Sequence, residues 1–188
     1  MVYAEQYAVE LVIPEIIRFP YNRMEERTED SVGAWDTKIH ANRVIRAIRA
    51  AVPEIAVMTD GAVDTYNIDG HDGFVEDGEI VNDRTIVALV KMTLAQAEAG
   101  ADIIGPSDMM DGRIGAMRTA LEAAGHQNVM ILSYAAKYAS AFYGPFRDAV
   151  GASGALVGDK KTYQMDPANS DEALRLVERD LSEGADMV

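Results

Sequence analysis

Apolar residues along the chain occur either at helical spacing or in short runs, and the two patterns alternate. The helical spacing predicts helices over 2–12, 38–51, 83–99, 111–124 and 171–183. The short β-rich runs predict strands over 16–19, 54–60, 101–105, 129–134 and 185–188. Asn82 or Asp83, and Ser170, are the predicted N-caps, and the predicted C-terminal stops are Gly100, Gly125 and Gly184.

The order of these elements predicts an α/β fold. Two helix-to-strand turns have nearly the same sequence, AGADII at 99–104 and EGADMV at 183–188. Short turns before strands and long segments after them are typical of the (β/α)8 or TIM barrel, which needs about 250 residues. We therefore expect residues 1–188 to form one partial domain, an incomplete barrel of about the first four to five βα units. A flavodoxin-like open sheet is the alternative, because about five parallel strands also complete that fold.

Composition narrows the class of protein. The 188 residues are 48% hydrophobic, enough for a packed core, and carry a net charge of −14 from 31 acidic and 17 basic residues. This acidity argues against a nucleic acid partner, and no apolar run approaches the roughly 20 residues that span a membrane. The absence of Cys excludes disulfides and thiolate metal sites. The acidic N-terminal segment is unlike a signal or transit peptide, so we expect a cytoplasmic location.

Residues that carry chemistry follow the predicted strands. Ligands of α/β proteins bind at the carboxyl ends of the strands, where the chain has long segments without predicted structure at 61–83 and 135–162. Long loops of this kind are usually functional, most often as lids. Lys137 follows a strand and is surrounded by Tyr and Ala residues. A Lys in this position can form a Schiff base with a carbonyl substrate, and the alternative is a solvated Lys in a loop.

Other polar residues near the strand ends are candidates for binding. Arg147 and Lys160 suit a substrate carboxylate, although surface charge is the simpler interpretation of the pattern alone. Asp60, Ser107 and Asp108 are placed to orient an amine or a water molecule. Helix capping is the alternative for Asp108, because the next predicted helix begins shortly after it.

The loop after the predicted strand over 54–60 is acidic. Asp64, Asp69 and Asp72, together with His71, suggest a divalent-cation site, because carboxylates are ligands of hard cations. They lack the regular spacing of an EF-hand, and a flexible acidic loop explains the pattern about as well.

Several longer segments resemble one enzyme family. They are DGAVDTYNIDGHDG, EAGADIIGPSDMMDGRIGAMR, SYAAKYASAFYGPFRDA and GDKKTYQMDPANSDEALR. In their order and spacing they resemble porphobilinogen synthase, also called delta-aminolevulinic acid dehydratase, from about Pro14 to Val188. The resemblance implies a (β/α)8 barrel that condenses a pair of 5-aminolevulinate molecules into porphobilinogen, with loss of water, in tetrapyrrole (heme) biosynthesis. It also implies a homo-oligomer of the octamer type.

The resemblance further implies roles for individual residues. It places the first of the family's two Schiff-base lysines at Lys137. The residues that it implies to contact substrate or to line the pocket are Arg147, Lys160, Gln164, Asp60 and Ser107. Contact with the substrate carboxylate is the role implied for Arg147 and Lys160. The other three residues are implied to line the pocket.

The same resemblance bears on metals. Zinc-dependent members carry cysteines at the positions of Ala62, Asp64 and Asp72. Aspartates without a thiolate make a poor zinc site and suit a hard cation instead. The sequence therefore resembles the aspartate-rich branch of the family. We expect no zinc, and magnesium or potassium is the candidate cation at Asp64 and Asp72.

The resemblance also implies that part of the catalytic machinery lies elsewhere. The second Schiff-base lysine belongs to a segment resembling MVKPG that lies just beyond Val188, so we expect little activity from residues 1–188 alone. Two other functions stay open. One is another Schiff-base enzyme of the aldolase type that uses Lys137. The other is a truncated relative without activity, which the family departures at Gly61, Thr65 and Leu176 favour modestly.

Overall fold

The computed structural model describes residues 32–36, 40–145, 156 and 158–188. Its helices are a 3₁₀ helix over Val32–Trp35, α1 His40–Ala51, α2 Asn82–Ala99, α3 Arg113–Ala123 and α4 Ser170–Ser182. Its strands are β1 Met58–Gly61, β2 Phe74–Glu76, β3 Glu79–Val81, β4 Ile103–Pro106 and β5 Met130–Ile131. The predicted helix over 2–12 and the predicted strand over 16–19 lie outside the described residues. Within this part of the chain, no helix is long and apolar enough to cross a membrane.

Three of the strands lie side by side, in chain order, in a parallel sheet. The order is β1–β4–β5, with Met58 opposite Ile103 and Ile103 opposite Met130. A parallel bridge between Leu132 and Met187 extends the sheet beyond β5. Helices connect these strands, which confirms the predicted α/β class. The order does not fit the flavodoxin-like alternative, because there the second and third strands of the chain are not neighbours.

The parallel strands are shorter than the sequence predicted. β1 begins at Met58 rather than at residue 54, and β5 covers only two of the residues predicted over 129–134. The residues before β1 form a turn whose carbonyls are bound by the Arg49 guanidinium, at 3.3 Å for Pro53 and 3.1 Å for Ile55. These backbone groups are therefore satisfied outside the sheet, which allows the strand to begin late.

The prediction of a structureless segment over 61–83 was wrong for its second half. There β2 and β3 form an antiparallel hairpin, with Phe74 opposite Val81 and Glu76 opposite Glu79. Asp77 and Gly78 form the turn, with φ of 51° and 82°. A two-residue hairpin of type I′ needs positive φ at both central residues, which is why Asp-Gly favours it. The Asp-Gly pair was therefore the sequence signal for this hairpin.

Helix ends were predicted correctly at Gly and less well at the N-caps. Gly100 ends α2 with φ of 109°, as predicted. Val81 occupies the N-cap of α2, and neither predicted residue caps it. Asn82 instead reaches across to residue 111, where it accepts from the backbone N at 2.8 Å and donates to the carbonyl at 3.1 Å. At α4 the cap is Asn169 rather than the predicted Ser170.

The hydrophobic core lies between the parallel sheet and helices α2 and α3. Its fully buried residues include Ile104 and Ile131 of the sheet, Leu89 of α2, and Met117 and Leu121 of α3. Helix α2 packs against α3 and also contacts α1 and the sheet. This packing fixes the strands from one face and leaves their carboxyl ends open to the loops that follow them.

A carboxylate joins neighbouring strands at the amino end of the sheet. Asp102, just before β4, binds the Arg49 guanidinium at 2.6 Å and accepts from the backbone N of Val57 at 2.7 Å. Gly100 allows this contact, because a Cβ there would lie only 2.9 Å from Cγ of Arg49. Asp102 therefore holds α1, the start of β1 and the start of β4 together.

The second of the two similar turns forms the same arrangement one pair of strands later. Asp186 binds the Arg118 guanidinium at 2.5 Å and accepts from the backbone N of Ile131 at 2.7 Å. Here Gly184 lies against Arg118, and its Cβ would again be 2.9 Å from Cγ of the arginine. The repeated Gly-Ala-Asp sequence is thus a repeated contact between a helix and two strands.

Replacing Asp102 with Asn is expected to lower the free energy of unfolding by about 1–3 kcal/mol, because an NH₂ group would face the donors of Arg49 or Val57. Asp186→Asn is expected to have a smaller effect, since the Asp186 side chain is 42% exposed and that of Asp102 is 29% exposed. Urea denaturation measures both, with Glu98→Gln on the exposed face of α2 as the control. Equal stabilities of all three variants would contradict this role.

Candidate functional site

Three predicted site residues meet where β1 and β4 end. Asp60 lies in β1, Ser107 follows β4, and Lys137 belongs to the loop after β5. The Ser107 hydroxyl donates to Oδ1 of Asp60 at 2.6 Å. Nζ of Lys137 donates to the carbonyl of Ser107 at 2.5 Å. The structure thus brings an amine, a hydroxyl and a carboxylate together at the carboxyl end of the sheet.

The surroundings of Asp60 act on the pKa of its carboxyl group in opposite directions. Although Asp60 keeps exposed surface, the surrounding protein displaces water from its carboxylate and raises the pKa. The hydrogen bond from Ser107 and the charge of Lys137 act in the opposite direction. Gln96 of α2 fixes the backbone here, because its side-chain amide donates to the Asp60 carbonyl at 2.9 Å. Asp60 is therefore a carboxyl group with a raised pKa close to a lysine amine.

Lys160 lies between two aspartates of the loop after β1. Its Nζ is 2.9 Å from Oδ2 of Asp72 and 3.6 Å from Oδ2 of Asp64. Asp72 is buried, and the Lys160 side chain is only 10% exposed. The loop after β1 and the turn at 158–164 are therefore held together by a largely buried ion pair.

The two groups of charges form one site. Burial and the neighbouring charge of Asp72 together raise the pKa of Asp64 to about 6, against the opposing charge of Lys160. Asp60 and Lys137 also act on Asp64. Three carboxylates and two ammonium groups therefore interact with one another here.

The residues around Lys160 do not fit a metal site. In the part of the chain that the structure describes, no group of three or more His, Asp or Glu residues is placed to hold a metal ion. Asp64 and Asp72 share a single ammonium group instead. A divalent cation needs more oxygen ligands than this pair supplies, and it would be repelled by Lys160.

Tyr163 is a site residue that residue-by-residue sequence reasoning missed. Its Oη accepts from the backbone N of Asp72 at 3.2 Å and lies 3.0 Å from Nδ1 of His71. The only sequence signal was its position within the motif GDKKTYQ. His71, predicted as a metal ligand, is therefore engaged by a tyrosine.

Two predicted substrate contacts, Gln164 and Arg147, are not among the described side chains that meet at Lys137 and Lys160. Gln164 is buried, and its backbone N donates to the Lys160 carbonyl at 2.8 Å. Gln164 lines a cavity of about 710 Å³ whose lining does not include Lys137. The next residue, Met165, donates its backbone N to the Lys137 carbonyl at 3.0 Å, which keeps the two loops adjacent. Arg147 lies outside the described residues.

Lys137 opens onto an apolar cleft of about 940 Å³. The aromatic residues that line the cleft are Tyr134, Tyr138, Phe142 and Tyr143. Phe142 is 92% exposed, and Val188 at the rim is 54% exposed. Lys137 therefore lines a space that is large enough for a small organic substrate and largely free of competing polar groups.

The capping interpretation of Asp108 was wrong. Gly112 occupies the N-cap of α3, and no side chain caps that helix. Asp108 is buried and accepts from the backbone N of Met110 at 2.7 Å, and its other oxygen lies 3.3 Å from Nε of Arg113. Burial raises the pKa of Asp108 to about 7, although the charge of Arg113 opposes this. Asp108 therefore belongs to the interior.

A buried polar network extends from Asp108 behind the site. The Arg113 guanidinium is 3.3 Å from the Ser133 hydroxyl and 3.6 Å from Oδ2 of Asp180. The Ser133 hydroxyl donates to the same oxygen of Asp180 at 2.6 Å. All of these side chains are at most 1% exposed. The network joins α4 to the residues that follow β4 and β5, and thereby fixes the backbone beneath Ser107 and Lys137.

Comparison with known proteins identifies close relatives. A family model described as Delta-aminolevulinic acid dehydratase matches residues 1–188. The delta-aminolevulinic acid dehydratase of Rhodobacter capsulatus is 70% identical over 162 residues, which are 86% of this chain and 49% of that protein. The corresponding protein of Bradyrhizobium diazoefficiens is 55% identical over 181 residues, which are 96% of this chain and 51% of that protein. The chain thus spans about half the length of these relatives.

A solved structure is similar in both fold and sequence. It is delta-aminolevulinic acid dehydratase (porphobilinogen synthase) from Toxoplasma gondii in complex with the reaction product porphobilinogen. It has a TM-score of 0.83 and 47% sequence identity to this chain. The match covers 86% of this chain and 47% of that one. At this identity the likeness extends beyond the general fold.

Asp64→Asn is expected to change the pH dependence of stability. The folded carboxyl has its pKa raised from 3.8 to about 6, so the stability that it contributes is present below about pH 4 and lost as the pH rises to about 6. Asn does not titrate. The variant should therefore gain stability relative to the unmutated protein, on the order of 1 kcal/mol, as the pH rises across this window.

Urea denaturation at about pH 4.5 and about pH 7.5 measures this change. Asp77→Asn, in the exposed hairpin turn, is the matched control. A stability difference for Asp64→Asn that stays constant between the two pH values would contradict the raised pKa.

Proposed function

The chain belongs to the delta-aminolevulinic acid dehydratase family, and from this premise we propose that its protein condenses two molecules of 5-aminolevulinate into porphobilinogen. The observation that carries the proposal is the position of Lys137, whose amine is joined through Ser107 to Asp60 at the mouth of an apolar cleft. The activity belongs to the whole protein, of which this chain corresponds to about half.

The parallel strands form the first part of a (β/α)8 barrel. Three features support this: the strands of the parallel sheet lie side by side in chain order, helices connect them, and the TM-score to the Toxoplasma structure is 0.83 over 47% of that chain. Residues 1–188 then constitute one incomplete domain. The exposed apolar residues Leu174 and Leu181 of α4 are candidates for the face that the remaining βα units cover.

Lys137 forms the Schiff base. Its neutral amine attacks the ketone carbon of 5-aminolevulinate, and the ketone oxygen leaves as water with one proton from the amine and one from an acid. The resulting iminium ion stays bound to Nζ and draws electrons from the adjacent carbon. Asp60, with its raised pKa, is placed to supply the acid proton, and Ser107 orients it.

Lys160 and Arg147 bind the carboxylate of the substrate. Lys160 uses only part of its donor capacity on Asp72, and the ammonium group has further N–H donors to offer. Gln164 stabilises the same turn, because its backbone N donates to the Lys160 carbonyl. Carbon–carbon and carbon–nitrogen bonds then join the two substrates, and loss of water and a proton gives the pyrrole. The family resemblance places the second Schiff-base lysine beyond Val188.

An octamer-type homo-oligomer and a cytoplasmic location belong to the same proposal, on the strength of the family resemblance. Magnesium or potassium belongs to it only at a site other than Asp64 and Asp72, whose carboxylates bind Lys160. No catalytic step is assigned to a metal ion, because Asp64 and Asp72 share the ammonium group of Lys160, which would repel a cation. Zinc is not expected, since the chain has no cysteine.

Reduction with borohydride in the presence of 5-aminolevulinate is expected to link one substrate molecule to Lys137. The iminium ion becomes a stable secondary amine, which peptide mass spectrometry locates. Lys137→Met should abolish the adduct, whereas Lys161→Met should retain it, because the Lys161 side chain is 77% exposed and pairs only with Asp159 in the described residues.

The same experiment separates the alternative functions. Trapping of aldol substrates in preference to 5-aminolevulinate would favour an aldolase-type enzyme. No adduct with either class of carbonyl compound would favour a relative without activity. Either result would overturn the proposed function.

Residues 1–188 alone are expected to produce little or no porphobilinogen. A fusion of this chain to the remaining C-terminal part of the Rhodobacter capsulatus protein is expected to produce it at a measurable rate, and Lys137→Met in that fusion should reduce the rate by at least about 100-fold. Colorimetric detection of porphobilinogen measures this. Turnover by residues 1–188 alone would contradict the need for a second lysine.

A further inference from the structure

We propose that Tyr163 is a positioning residue that fixes Asp72 and, through it, the ammonium group of Lys160 at the site. The inference rests on the proposed function, because it takes Lys160 as a group that binds the carboxylate of 5-aminolevulinate. Tyr163 itself touches neither the cleft at Lys137 nor the Lys137 amine in the described contacts.

Tyr163 joins two segments of the chain that are far apart in sequence. Its hydroxyl accepts the backbone N–H of Asp72 at 3.2 Å and lies 3.0 Å from Nδ1 of His71. The ring packs edge-on against His71, with centroids 6.0 Å apart and planes at 71°, and it also contacts the hydrophobic core. The aromatic ring therefore anchors the hydroxyl, and the hydroxyl holds residues 71–72 in place.

The contacts of Tyr163 and Lys160 converge on Asp72. Tyr163 binds the backbone of Asp72, and Lys160 binds its carboxylate at 2.9 Å. The two residues also share one turn, in which the backbone N of Tyr163 donates to the Lys160 carbonyl at 3.3 Å. These contacts close a ring. A lysine side chain is flexible by nature, and this ring gives the ammonium group of Lys160 a defined position.

The protonation state of Tyr163 suits this role. Burial raises its pKa, and the nearby charge of Asp72 raises it further, so the hydroxyl keeps its proton. It can then accept from the Asp72 N–H and still donate a hydrogen bond. Loss of the hydroxyl would leave the N–H of a residue that is 2% exposed without its acceptor.

Tyr163→Phe keeps the ring and removes only the hydroxyl. In borohydride trapping on residues 1–188, we expect the concentration of 5-aminolevulinate that gives half-maximal adduct at Lys137 to rise at least fivefold. The maximal adduct should stay within about twofold, because the Lys137 amine is unchanged. Thr119→Val is the control, since it removes an exposed hydroxyl of α3 that bonds only to the Gly115 carbonyl among the described contacts, and its half-maximal concentration should not change.

A double mutant distinguishes an effect of Tyr163 on the position of Lys160 from a general destabilisation of the fold. Lys160→Met alone should raise the half-maximal concentration, and adding Tyr163→Phe to it should cause no further rise. An unchanged value in Tyr163→Phe would overturn the inference. An equal additional rise in the Lys160→Met background would overturn it as well, because Tyr163 would then act independently of Lys160. Absence of any adduct in the unmutated chain would instead contradict the proposed function on which the inference rests.

Discussion

The register between β1 and β4 determines the geometry of the site. Asp60 lies opposite Gly105, so Ser107 follows close enough for its hydroxyl to reach the Asp60 carboxylate. A shift of one residue would turn Asp60 to the other face of the sheet. Asp102 holds the other end of the same pair of strands through Arg49 and the backbone of Val57. Contacts at the amino ends of the strands therefore set the chemistry at their carboxyl ends.

The balance of charge is the second constraint on the site. Asp64 and Asp72 compete with any bound carboxylate for the ammonium group of Lys160. Substrate binding at Lys160 would withdraw positive charge from this pair and favour protonation of Asp64, whose pKa is already raised to about 6. The contacts of Tyr163 matter here, because they limit how far Asp72 and Lys160 can separate. Under the proposed function, the loop after β1 would thus be coupled to substrate binding through charge.

The sequence predicted the α/β class and the order of the main helices and strands, because strand ends and Gly stops leave local signals. It also predicted the site residues Asp60, Ser107, Lys137 and Lys160, because ligands of such folds bind where the strands end. The hairpin at 74–81 also had a local signal in its Asp-Gly turn, although the chain there was predicted to be a loop. No local signal exists for contacts between distant segments. Tyr163 with Asp72, and Arg113 with Asp180, become neighbours only through the fold.

The repeated Gly-Ala-Asp turn is another case in which a contact between distant segments could not be predicted from the sequence. Its repetition was visible in the sequence, but its meaning depended on arginines on earlier helices, Arg49 and Arg118. Likewise, Asp64 and Asp72 were interpreted as metal ligands because Lys160, which lies 88 residues after Asp72 in the chain, had no visible relation to them. The structure places that ammonium group between the two carboxylates.

A crystal structure of the borohydride-reduced adduct with 5-aminolevulinate would test the account most directly. The account predicts a secondary amine at Nζ of Lys137, with the substrate carboxylate within about 3.2 Å of Nζ of Lys160 and Asp72 still bound by the Tyr163 hydroxyl. An adduct on another lysine, or a carboxylate that lies away from Lys160, would contradict it.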